Sequence, residues 1–201
     1  MKKIAITGSL SSGKTTASKI LALSKGPLFS ADKVVRDLYK DKKFISTISK
    51  KFKIKSLFKV KNTLKKKILD KNSNIKKLEK IIHPLVRKEM IKFTKKNTKK
   101  KLVFYEIPLL VESKLMKDFD VIFFIKAKKS LRLSRFKKKG GNPNLFYKFD
   151  RRQFKDQKKI KFCDHVVVNE KNKNILKKNL KDIFRRYEWS VFRYRNNWAI
   201  I

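Results

Sequence analysis

Near the start of the chain, one eight-residue stretch has the residue types and the spacing of a phosphate-binding loop. Residues 8–15, Gly-Ser-Leu-Ser-Ser-Gly-Lys-Thr, fit the pattern G-x-x-x-x-G-K-[ST] in full. Glycine at both ends lets the backbone approach an anion closely, and the N–H groups at the start of the following helix face the phosphates. Lys14 then reaches the β- and γ-phosphates, and the Thr15 hydroxyl coordinates Mg²⁺. The alternative is a glycine-serine turn that happens to precede a helix.

A carboxylate marks the second place where chemistry is expected. Asp32 follows residues 27–29, a short apolar segment that reads as a buried strand. Ligands of open α/β folds bind where the strands end, so this carboxylate is placed to take the proton of an attacking hydroxyl in phosphoryl transfer. An Asp here can instead cap the next helix by accepting from the N–H of Val34 or Val35. The spacing does not separate these two roles.

Two further segments hold candidate ligand contacts. His83 precedes Pro84, which is expected to start a helix. Taken alone, His83 reads more readily as a hydrogen-bonded core histidine than as a substrate contact. Residues 107–112 leave a predicted strand through an apolar turn that contains a proline. This turn either walls a hydrophobic ligand groove or packs against the core.

Apolar runs and helical spacing predict the elements that position these residues. Continuous apolar runs are typical of parallel strands covered on both faces, and helical spacing fills the segments between them. The chain therefore predicts a three-layer α/β domain with a parallel five-stranded sheet in the middle. The predicted strands cover residues 3–7, 27–29, 102–107, 121–125 and 166–168. The predicted helical segments cover residues 14–23, 33–99, 130–138, 145–161 and 172–189, with a breaker cluster at 140–143.

The chain is strongly basic. Its 201 residues include 57 Lys and Arg against 16 Asp and Glu, a formal net charge of +41. Such a charge first suggests nucleic acid or another polyanion as a partner. Only ten of the 57 are arginine, the better residue for phosphate forks and base reading. Abundant Lys, Asn, Ile and Phe with few Gly and Pro indicate an A/T-rich coding bias, to which we assign most of the charge.

Cysteine usage and apolar run lengths bound the location of the protein. The single cysteine, Cys163, excludes an intramolecular disulfide framework and a cysteine-rich zinc site, and it suits a reducing compartment. The apolar run after the first lysines, residues 4–6, is too short for a signal-peptide core, and no run approaches the ~20 residues of a membrane span. We expect a soluble cytoplasmic protein that has neither a membrane nor a specific nucleic-acid partner.

Several motifs, taken in order, resemble the dephospho-coenzyme A kinase family, whose members phosphorylate the ribose 3′-hydroxyl of dephospho-CoA with ATP. The phosphate loop comes first, and residues 30–32, Ser-Ala-Asp, are similar to the family's Asp-x-Asp. Residues 78–86 resemble its Leu-Glu…His-Pro-Leu segment, and residues 106–112 resemble its Pro-Leu-Leu-x-Glu segment. Residues 151–169 are similar to its late Arg-x-Gln…Asp…Asn pattern. These motifs span nearly the whole chain, and the His-Pro-Leu and Pro-Leu-Leu-x-Glu segments are far more specific than the loop.

The resemblance implies a P-loop kinase fold with a helical substrate-binding insert and a lid. It assigns residues 1–32, 100–130 and 160–201 to a nucleotide-binding core, residues 33–99 to a helical substrate domain for CoA, and residues 131–159 to the lid. ATP and Mg²⁺ are the implied cofactors, and dephospho-CoA is the implied acceptor. A monomer is expected, with a small homo-oligomer as the alternative.

The resemblance also implies roles for individual residues. Asp32 is similar to the family's general base, and the implied catalytic cations are Lys14, Arg135 and Arg151. Thr15 is the implied metal ligand. The residues implied to bind ATP are Gly8, Ser9, Leu10, Ser11, Ser12, Gly13, Lys14, Thr15, Thr16 and Asn169. The residues implied to bind the acceptor are Asp32, Lys61, His83, Pro108, Leu109 and Glu112.

The chain departs from the family pattern at five positions. Ser9 and Ser11 stand where the family usually has glycine, and Ser30 replaces the first Asp of Asp-x-Asp. Lys139 stands where a second lid arginine often lies, and Lys61 stands near another usual arginine. Lysine provides a point charge without a fork, so weaker clamping of phosphate by the lid is expected.

Two other functions stay open on the sequence alone. One is a different small-molecule or nucleoside kinase on the same scaffold; a GTPase is less favoured because no Asn-Lys-x-Asp motif is present. The other is a basic nucleic-acid-binding protein with a vestigial phosphate loop. Its support is confined to the carboxyl-terminal segment, which a packed helix explains equally well, and no helix-turn-helix or RNA-binding aromatic motif is present. The supporting residues are Arg185, Arg186, Trp189, Arg193, Arg195 and Trp198.

Overall fold

Five strands form one sheet in which every neighbouring pair is parallel, in the order β2-β3-β1-β4-β5. The computed structural model describes residues 1–23, 25–56 and 60–196, with side chains through residue 185 except at position 72. Trp198 therefore lies outside the described residues, as do the side chains of the other predicted nucleic-acid contacts beyond Arg185. The strands are β1 (Lys2–Gly8), β2 (Leu28–Ser30), β3 (Leu102–Glu106), β4 (Val121–Lys126) and β5 (His165–Val168).

Helices connect these strands and cover both faces of the sheet. In the described part of the chain, no helix is both long enough and apolar enough to cross a membrane. A single 3₁₀ turn, Met116–Asp118, precedes β4. The α-helices are α1 (Lys14–Ala22), α2 (Ala31–Leu38), α3 (Lys42–Phe52), α4 (Val60–Asp70), α5 (Asn72–Lys96), α6 (Lys129–Lys138), α7 (Pro143–Arg152), α8 (Asp156–Ile160) and α9 (Lys173–Asn196).

The sheet has an apolar core on each side, as its uninterrupted apolar strands predicted. Successive residues of a strand point to opposite faces, so Ile4 and Ile6 pack on one side with residues of α1 and α9. Ala5 packs on the other side with Val103, Tyr105 and residues of α5. The predicted three-layer α/β architecture is therefore confirmed.

The helical segment between β2 and β3 has a core of its own. Ile48 of α3, Leu64 of α4 and Ile82 of α5 are buried in one cluster. Leu145 of α7 joins the same cluster. The helices of this insert thus pack against each other and against α7.

Two local predictions were wrong. Pro84 lies inside α5 instead of starting a helix; Ile82 and Val86 on either side pack against the core, which holds the helix together across the missing N–H. The predicted helix over 145–161 is interrupted after Arg152, where Gln153 is extended and the N–H of Phe154 donates to Glu112 outside the helix. In both places tertiary contacts outweigh local helix propensity.

The strand order brings the candidate residues together. β1 lies between β3 and β4: the connection from β1 leads to β2 on one side of it, and the connection from β3 crosses to β4 on the other side. Open α/β sheets bind ligands at such a switch point, outside the carboxyl ends of the strands. The loop after β1, the start of α2 after β2, and the turn after β3 all lie at this edge.

Candidate active site

The loop between β1 and α1 has the backbone that its two glycines predict. Gly8 has a φ of +147°, and a Cβ there would lie 2.4 Å from the Ile125 carbonyl oxygen. Gly13 has a φ of +101°, and a Cβ there would lie 2.1 Å from Nδ2 of Asn169. A side chain at either position would therefore collide and adopt a strained backbone. Ser11 has a φ of +57°, so this loop holds a non-glycine residue in the left-handed region where the family usually has glycine.

Lys14 is buried at the start of α1. Its Nζ donates to the Ser9 carbonyl oxygen at 2.9 Å, which folds the side chain back over the loop. Burial lowers its pKa to about 8, although the nearby carboxylates of Asp32 and Glu106 act in the opposite direction. An ammonium with little hydration at the mouth of a ring of N–H groups is suited to bind a polyphosphate.

Glu106, at the end of β3, links the loop to α2. Only 1% of its surface is exposed, and both carboxylate oxygens accept hydrogen bonds from hydroxyl groups. Thr15 Oγ1 donates to Oε1 at 2.5 Å, and Ser30 Oγ donates to Oε2 at 2.9 Å. The sequence analysis assigned no role to Glu106. The sequence feature that points to Glu106 is a carboxylate at the end of an apolar strand, which lies next to β1, the strand that precedes the loop.

Asp32 is the second residue of α2 and does not cap it. The cap is Ser30, whose hydroxyl accepts from the N–H of Lys33, so the capping alternative for Asp32 is not supported. Partial burial in the cleft raises the pKa of the Asp32 carboxyl, and the nearby Lys14 ammonium acts against this rise. The carboxylate remains accessible from the cleft. Asp32 and Lys14 are therefore close enough to interact electrostatically across the mouth of the loop.

The donor set around the loop fits Mg²⁺. In the described residues, no group of three or more His, Cys, Asp or Glu side chains could enclose a metal ion. Mg²⁺ does not need such a cage, because it keeps several waters and binds one or two protein oxygens together with substrate phosphates. The Thr15 hydroxyl and the Glu106 and Asp32 carboxylates supply oxygens of this kind at one place.

An apolar cleft opens beside Asp32. It encloses about 170 Å³ between α2, α5 and the turn after β3. His83 lines this cleft and is exposed, so the core reading of this histidine is wrong. Pro108 and Leu109 line the opposite wall, where Thr7 Oγ1 donates to the Pro108 carbonyl oxygen at 3.3 Å. The turn after β3 therefore walls a groove as well as packing against the core.

Two arginines of α6 contact the back of the loop. Arg132 is buried, and its guanidinium donates to the carbonyl oxygens of Ala127 and Leu10 and pairs with Asp150 at 2.6 Å. Arg135 donates to the Ser12 carbonyl oxygen at 3.3 Å. Arg135 was predicted as a catalytic cation, whereas Arg132 was not singled out among the basic residues of this segment.

Comparison with known proteins agrees with this arrangement. A family model described as dephospho-CoA kinase matches residues 2–174. The chain belongs to this family. A dephospho-CoA kinase of Bartonella quintana is 34% identical over 177 residues, which cover 83% of this chain and 88% of that protein. One from Rickettsia typhi is 31% identical over 194 residues, which cover 95% of this chain and 100% of that protein.

Solved structures share the fold. A dephospho-CoA kinase from Campylobacter jejuni has a TM-score of 0.65 at 22% identity and covers 93% of this chain and 98% of its own. A shikimate kinase from Aquifex aeolicus has a TM-score of 0.52 at 18% identity, with coverages of 94% and 98%. The predicted P-loop kinase fold and the resemblance to the dephospho-CoA kinase family are therefore confirmed. The chain is a phosphate-transferring kinase that uses a nucleotide.

Three of the residues compared with the dephospho-CoA kinase pattern, two of which depart from it, lie away from the loop and the cleft. Arg151 is exposed and lines another cavity, beside Lys76 and Tyr147, to which no residue of the phosphate loop contributes. The Nζ of Lys61 lies 5.2 Å from the centre of the Tyr39 ring, and Lys61 does not line the apolar cleft. Lys139 is exposed at the end of α6.

Glu112 contacts the segment around α8 and does not line the apolar cleft. Its Oε1 accepts from the N–H of Phe154 at 3.0 Å and from Nζ of Lys159 at 2.8 Å. Lys159 is fully buried and also donates to Oε1 of Gln153. Lys159 carries no sequence signal that distinguishes it from the other lysines of the chain.

Gln153 and Asp156 contact the phosphate loop directly. Oε1 of Gln153 accepts from the N–H of Leu10 at 3.0 Å, and the Ser9 hydroxyl donates to the Asp156 carboxylate. Ser9, one of the departures from the family pattern, thus makes a contact that glycine would lack. Of these two partners, the sequence analysis noted only Gln153, as part of a motif.

Asn169 supports the loop from the end of β5. Its Nδ2 donates to the Ser12 carbonyl oxygen at 2.7 Å, and its own N–H donates to the Lys126 carbonyl oxygen at 2.8 Å. The side chain is buried. Thr16 lies in the first turn of α1, where its N–H donates to the Gly13 carbonyl oxygen. In this conformation the Asn169 amide nitrogen therefore holds the loop backbone.

Proposed function

We propose that the chain transfers the γ-phosphate of ATP to the ribose 3′-hydroxyl of dephospho-CoA. The main support for this proposal is that the phosphate loop and the apolar cleft adjoin each other. The buried Lys14 of the phosphate loop and Asp32 at the mouth of the apolar cleft interact electrostatically. A hydroxyl bound in the cleft beside Asp32 would therefore face the phosphate that the loop holds.

The loop residues bind and orient the nucleotide. The first N–H groups of α1 lack partners within the helix and point towards the phosphates. Lys14 exchanges its bond to the Ser9 carbonyl oxygen for the β- and γ-phosphates. The oxygens of Thr15 and Glu106 would hold Mg²⁺, with Asp32 close by. When bound, this ion would supply positive charge that offsets the charge of the phosphates.

Asp32 acts as the general base. Its carboxylate is not engaged in capping α2 and is accessible from the cleft that holds the acceptor. Burial raises the pKa of the Asp32 carboxyl, which makes it a stronger base than an exposed Asp, and the nearby Lys14 ammonium acts against this rise. Asp32 takes the proton of the 3′-hydroxyl as that oxygen attacks the γ-phosphate in line.

The remaining cations offset charge that develops during transfer. Arg132 and Arg135 hold loop carbonyl oxygens, so they position the loop and add positive charge beside it. Arg151 is assigned the same task in a conformation where the lid has moved, since here it faces another cavity. Asn169 holds the loop at the end where the adenine is expected to bind.

The division into parts belongs to this proposal as well. Residues 33–99 would hold the acceptor, residues 131–159 would close over the phosphates, and the rest would form the nucleotide-binding core. A cytoplasmic monomer fits this scheme, and size-exclusion chromatography with light scattering tests its oligomeric state. A dimer by that measurement would overturn the monomer assignment alone.

An acceptor panel tests the proposed reaction. The purified protein is supplied with Mg·ATP and, separately, with dephospho-CoA, shikimate or deoxyadenosine, and ADP release is measured. We expect ADP release well above the background without acceptor for dephospho-CoA alone. ADP release that stays at background with all three acceptors would overturn the assignment. ADP release with shikimate or deoxyadenosine would show that the protein is a different small-molecule kinase.

A further inference from the structure

A second cavity adjoins the acceptor cleft on the side away from the loop. It encloses about 560 Å³ between α5 and the segment that follows β3. The cleft and this cavity share Arg87, Met90 and Leu115, so they form one continuous depression. We call the second cavity the extension groove; its lining includes Arg87, Met90, Thr94, Lys95, Lys114 and Leu115.

The cleft is too small to enclose the whole of the proposed acceptor. The cleft beside Asp32 encloses about 170 Å³, whereas pockets for small organic ligands usually enclose roughly 300–1,000 Å³. The adenosine end of dephospho-CoA carries the reacting 3′-hydroxyl and must lie near Asp32. The 5′-diphosphate and the pantetheine arm leave the ribose at its other end, away from the reacting oxygen, and need a second space.

The charge of the extension groove matches a diphosphate. Lys3, Arg87, Lys95 and Lys114 line it, against a single carboxylate from Asp118. Among the described residues, the side chains of these four cations form no ion pair, although nearby pairs such as Lys92 with Glu89 show that carboxylates of the chain do find partners. Arg87 lies at the junction with the cleft, where a 5′-diphosphate would emerge, and its guanidinium can bind two phosphate oxygens at once.

The backbone at Lys114 is unusual and directs a cation to the groove. Lys114 has a φ of +56°, in the left-handed region that favours glycine. Two hydrogen bonds hold the turn, from the N–H of Lys114 to the Val111 carbonyl oxygen and from the N–H of Leu115 to the Leu110 carbonyl oxygen. Strained residues of this kind cluster at ligand-binding sites.

The wall beyond the cations suits a chain of amides and methyl groups. Met90 and Leu115 contribute apolar surface, and the Thr94 and Tyr105 hydroxyls form a 2.8 Å hydrogen bond within it. Because Thr94 Oγ1 donates to the Met90 carbonyl oxygen, it accepts from the Tyr105 hydroxyl, and both oxygens keep acceptor capacity for amide N–H groups. Pantetheine alternates amides with short apolar segments, so its pattern matches this wall.

We propose that the extension groove binds the 5′-diphosphate and the pantetheine arm of the acceptor. Arg87 and Lys114 bind the diphosphate, and the arm runs along α5 towards Lys95. This inference rests on the proposed function, because the acceptor is dephospho-CoA. It adds a reason for selectivity: acceptors without the arm reach Asp32 but lack the contacts of the groove.

Binding measurements on charge-matched variants test the groove. The test variant is Arg87→Ala with Lys114→Asn, in which Asn tolerates the left-handed backbone. The control variant is Lys88→Ala with Lys117→Asn, which removes two exposed cations from the same helix and the same loop outside the groove. Each protein is titrated by calorimetry with dephospho-CoA and with adenosine, which lacks both the 5′-diphosphate and the arm.

We expect the Kd for dephospho-CoA to rise at least about tenfold in the test variant, since two charge-assisted contacts are lost, and less than about twofold in the control. The Kd for adenosine should rise less than about threefold in both. If the test variant binds dephospho-CoA as the control does, or loses affinity for both ligands equally, the extension groove does not bind the diphosphate and the arm. Turnover of the wild type is read separately: binding without turnover would instead overturn the proposed function.

Discussion

The phosphate loop and the acceptor side of the site are built in different ways. At the loop, polar groups of the protein are already bonded to one another: Lys14 to the Ser9 carbonyl oxygen, Leu10 to Gln153, and the Ser12 carbonyl oxygen to Asn169. On the acceptor side, an apolar cleft leads to a groove where Arg87 has no ion-pair partner among the described residues.

This difference separates two sources of binding. A loop held by its own hydrogen bonds is preorganised, so a nucleotide exchanges existing contacts and the loop backbone needs little ordering. The acceptor side instead offers apolar surface and uncompensated charge, which a long anionic acceptor can satisfy. We therefore expect changes at the loop to affect the nucleotide and its metal, and changes at the cleft to affect the acceptor.

The largest effect is expected at Asp32, where the two regions meet. Asp32→Asn removes the base but keeps the size of the side chain, so kcat should fall by about 10²–10⁴-fold. The Kd for ATP should stay within about threefold, because Asp32 does not hold the loop. Steady-state kinetics and nucleotide titration measure both quantities.

Asp37→Asn provides the control for that variant. Asp37 lies on the same helix, and its carboxylate pairs with Lys40 at the surface. This change should leave kcat within about twofold of the wild type. A kcat for Asp32→Asn that matches this control would show that Asp32 is not the base.

The next largest effect is expected at Glu106, on the loop side. Glu106→Gln keeps one acceptor oxygen but removes the charge that orients the Thr15 hydroxyl and helps to hold Mg²⁺. Changes to such supporting groups typically cost about 10–100-fold in metal affinity. Titration of activity with Mg²⁺ should show a half-saturating concentration raised by that factor. An unchanged Mg²⁺ requirement would remove Glu106 from the metal site.

A proton should accompany nucleotide binding at alkaline pH. Burial lowers the pKa of Lys14 to about 8, so at pH 9 most of the free protein lacks this ammonium, while at pH 7 most of it has one. Bound phosphates favour the charged form and raise the pKa. Binding should therefore take up close to one proton at pH 9 and about a tenth of one at pH 7.

Calorimetry of ATP binding in buffers of different ionisation enthalpy measures this uptake. Lys14→Arg serves as the control, because a guanidinium stays protonated throughout this range. Its proton uptake should vanish at both pH values. The same uptake in the variant and the wild type would assign the proton to another group.

The smallest effect is expected at Ser11, whose left-handed backbone is a local cost inside the ordered loop. Ser11→Gly relieves the strain, partly offset by the greater freedom of glycine in the unfolded chain. The free energy of unfolding should rise by about 0.5–1 kcal/mol, as measured by urea denaturation. A loss of stability would show that Ser11 forms contacts worth more than its strain.

Local patterns predicted the parts of the site that lie next to one another in the chain. The loop, its flanking strand and helix, and the position of Asp32 after β2 all follow from short spacings. The wall formed by Pro108 and Leu109 follows in the same way, because a turn after a strand must lie at the sheet edge. Such features depend on neighbours within a few residues.

Contacts between distant segments could not be predicted. Lys159 is one lysine among many, and only the fold shows that it is buried against Glu112. The break after Arg152 arises from the bond between Phe154 and Glu112, which no helical pattern contains. Glu106 bridges Thr15 of α1 and Ser30 at the end of β2, which lie far from it in the sequence. These features depend on tertiary packing, such as the packing that brings the Thr15 and Ser30 hydroxyls to the Glu106 carboxylate.

The most direct test of the proposed reaction locates the transferred phosphate on the acceptor. The wild-type protein is incubated with Mg·ATP and dephospho-CoA, ADP is quantified, and the acceptor product is examined by phosphorus NMR. We expect one ADP for each CoA formed, with the new phosphate on the ribose 3′-oxygen. ADP formed without a phosphorylated acceptor, or a phosphate on any other oxygen, would contradict it.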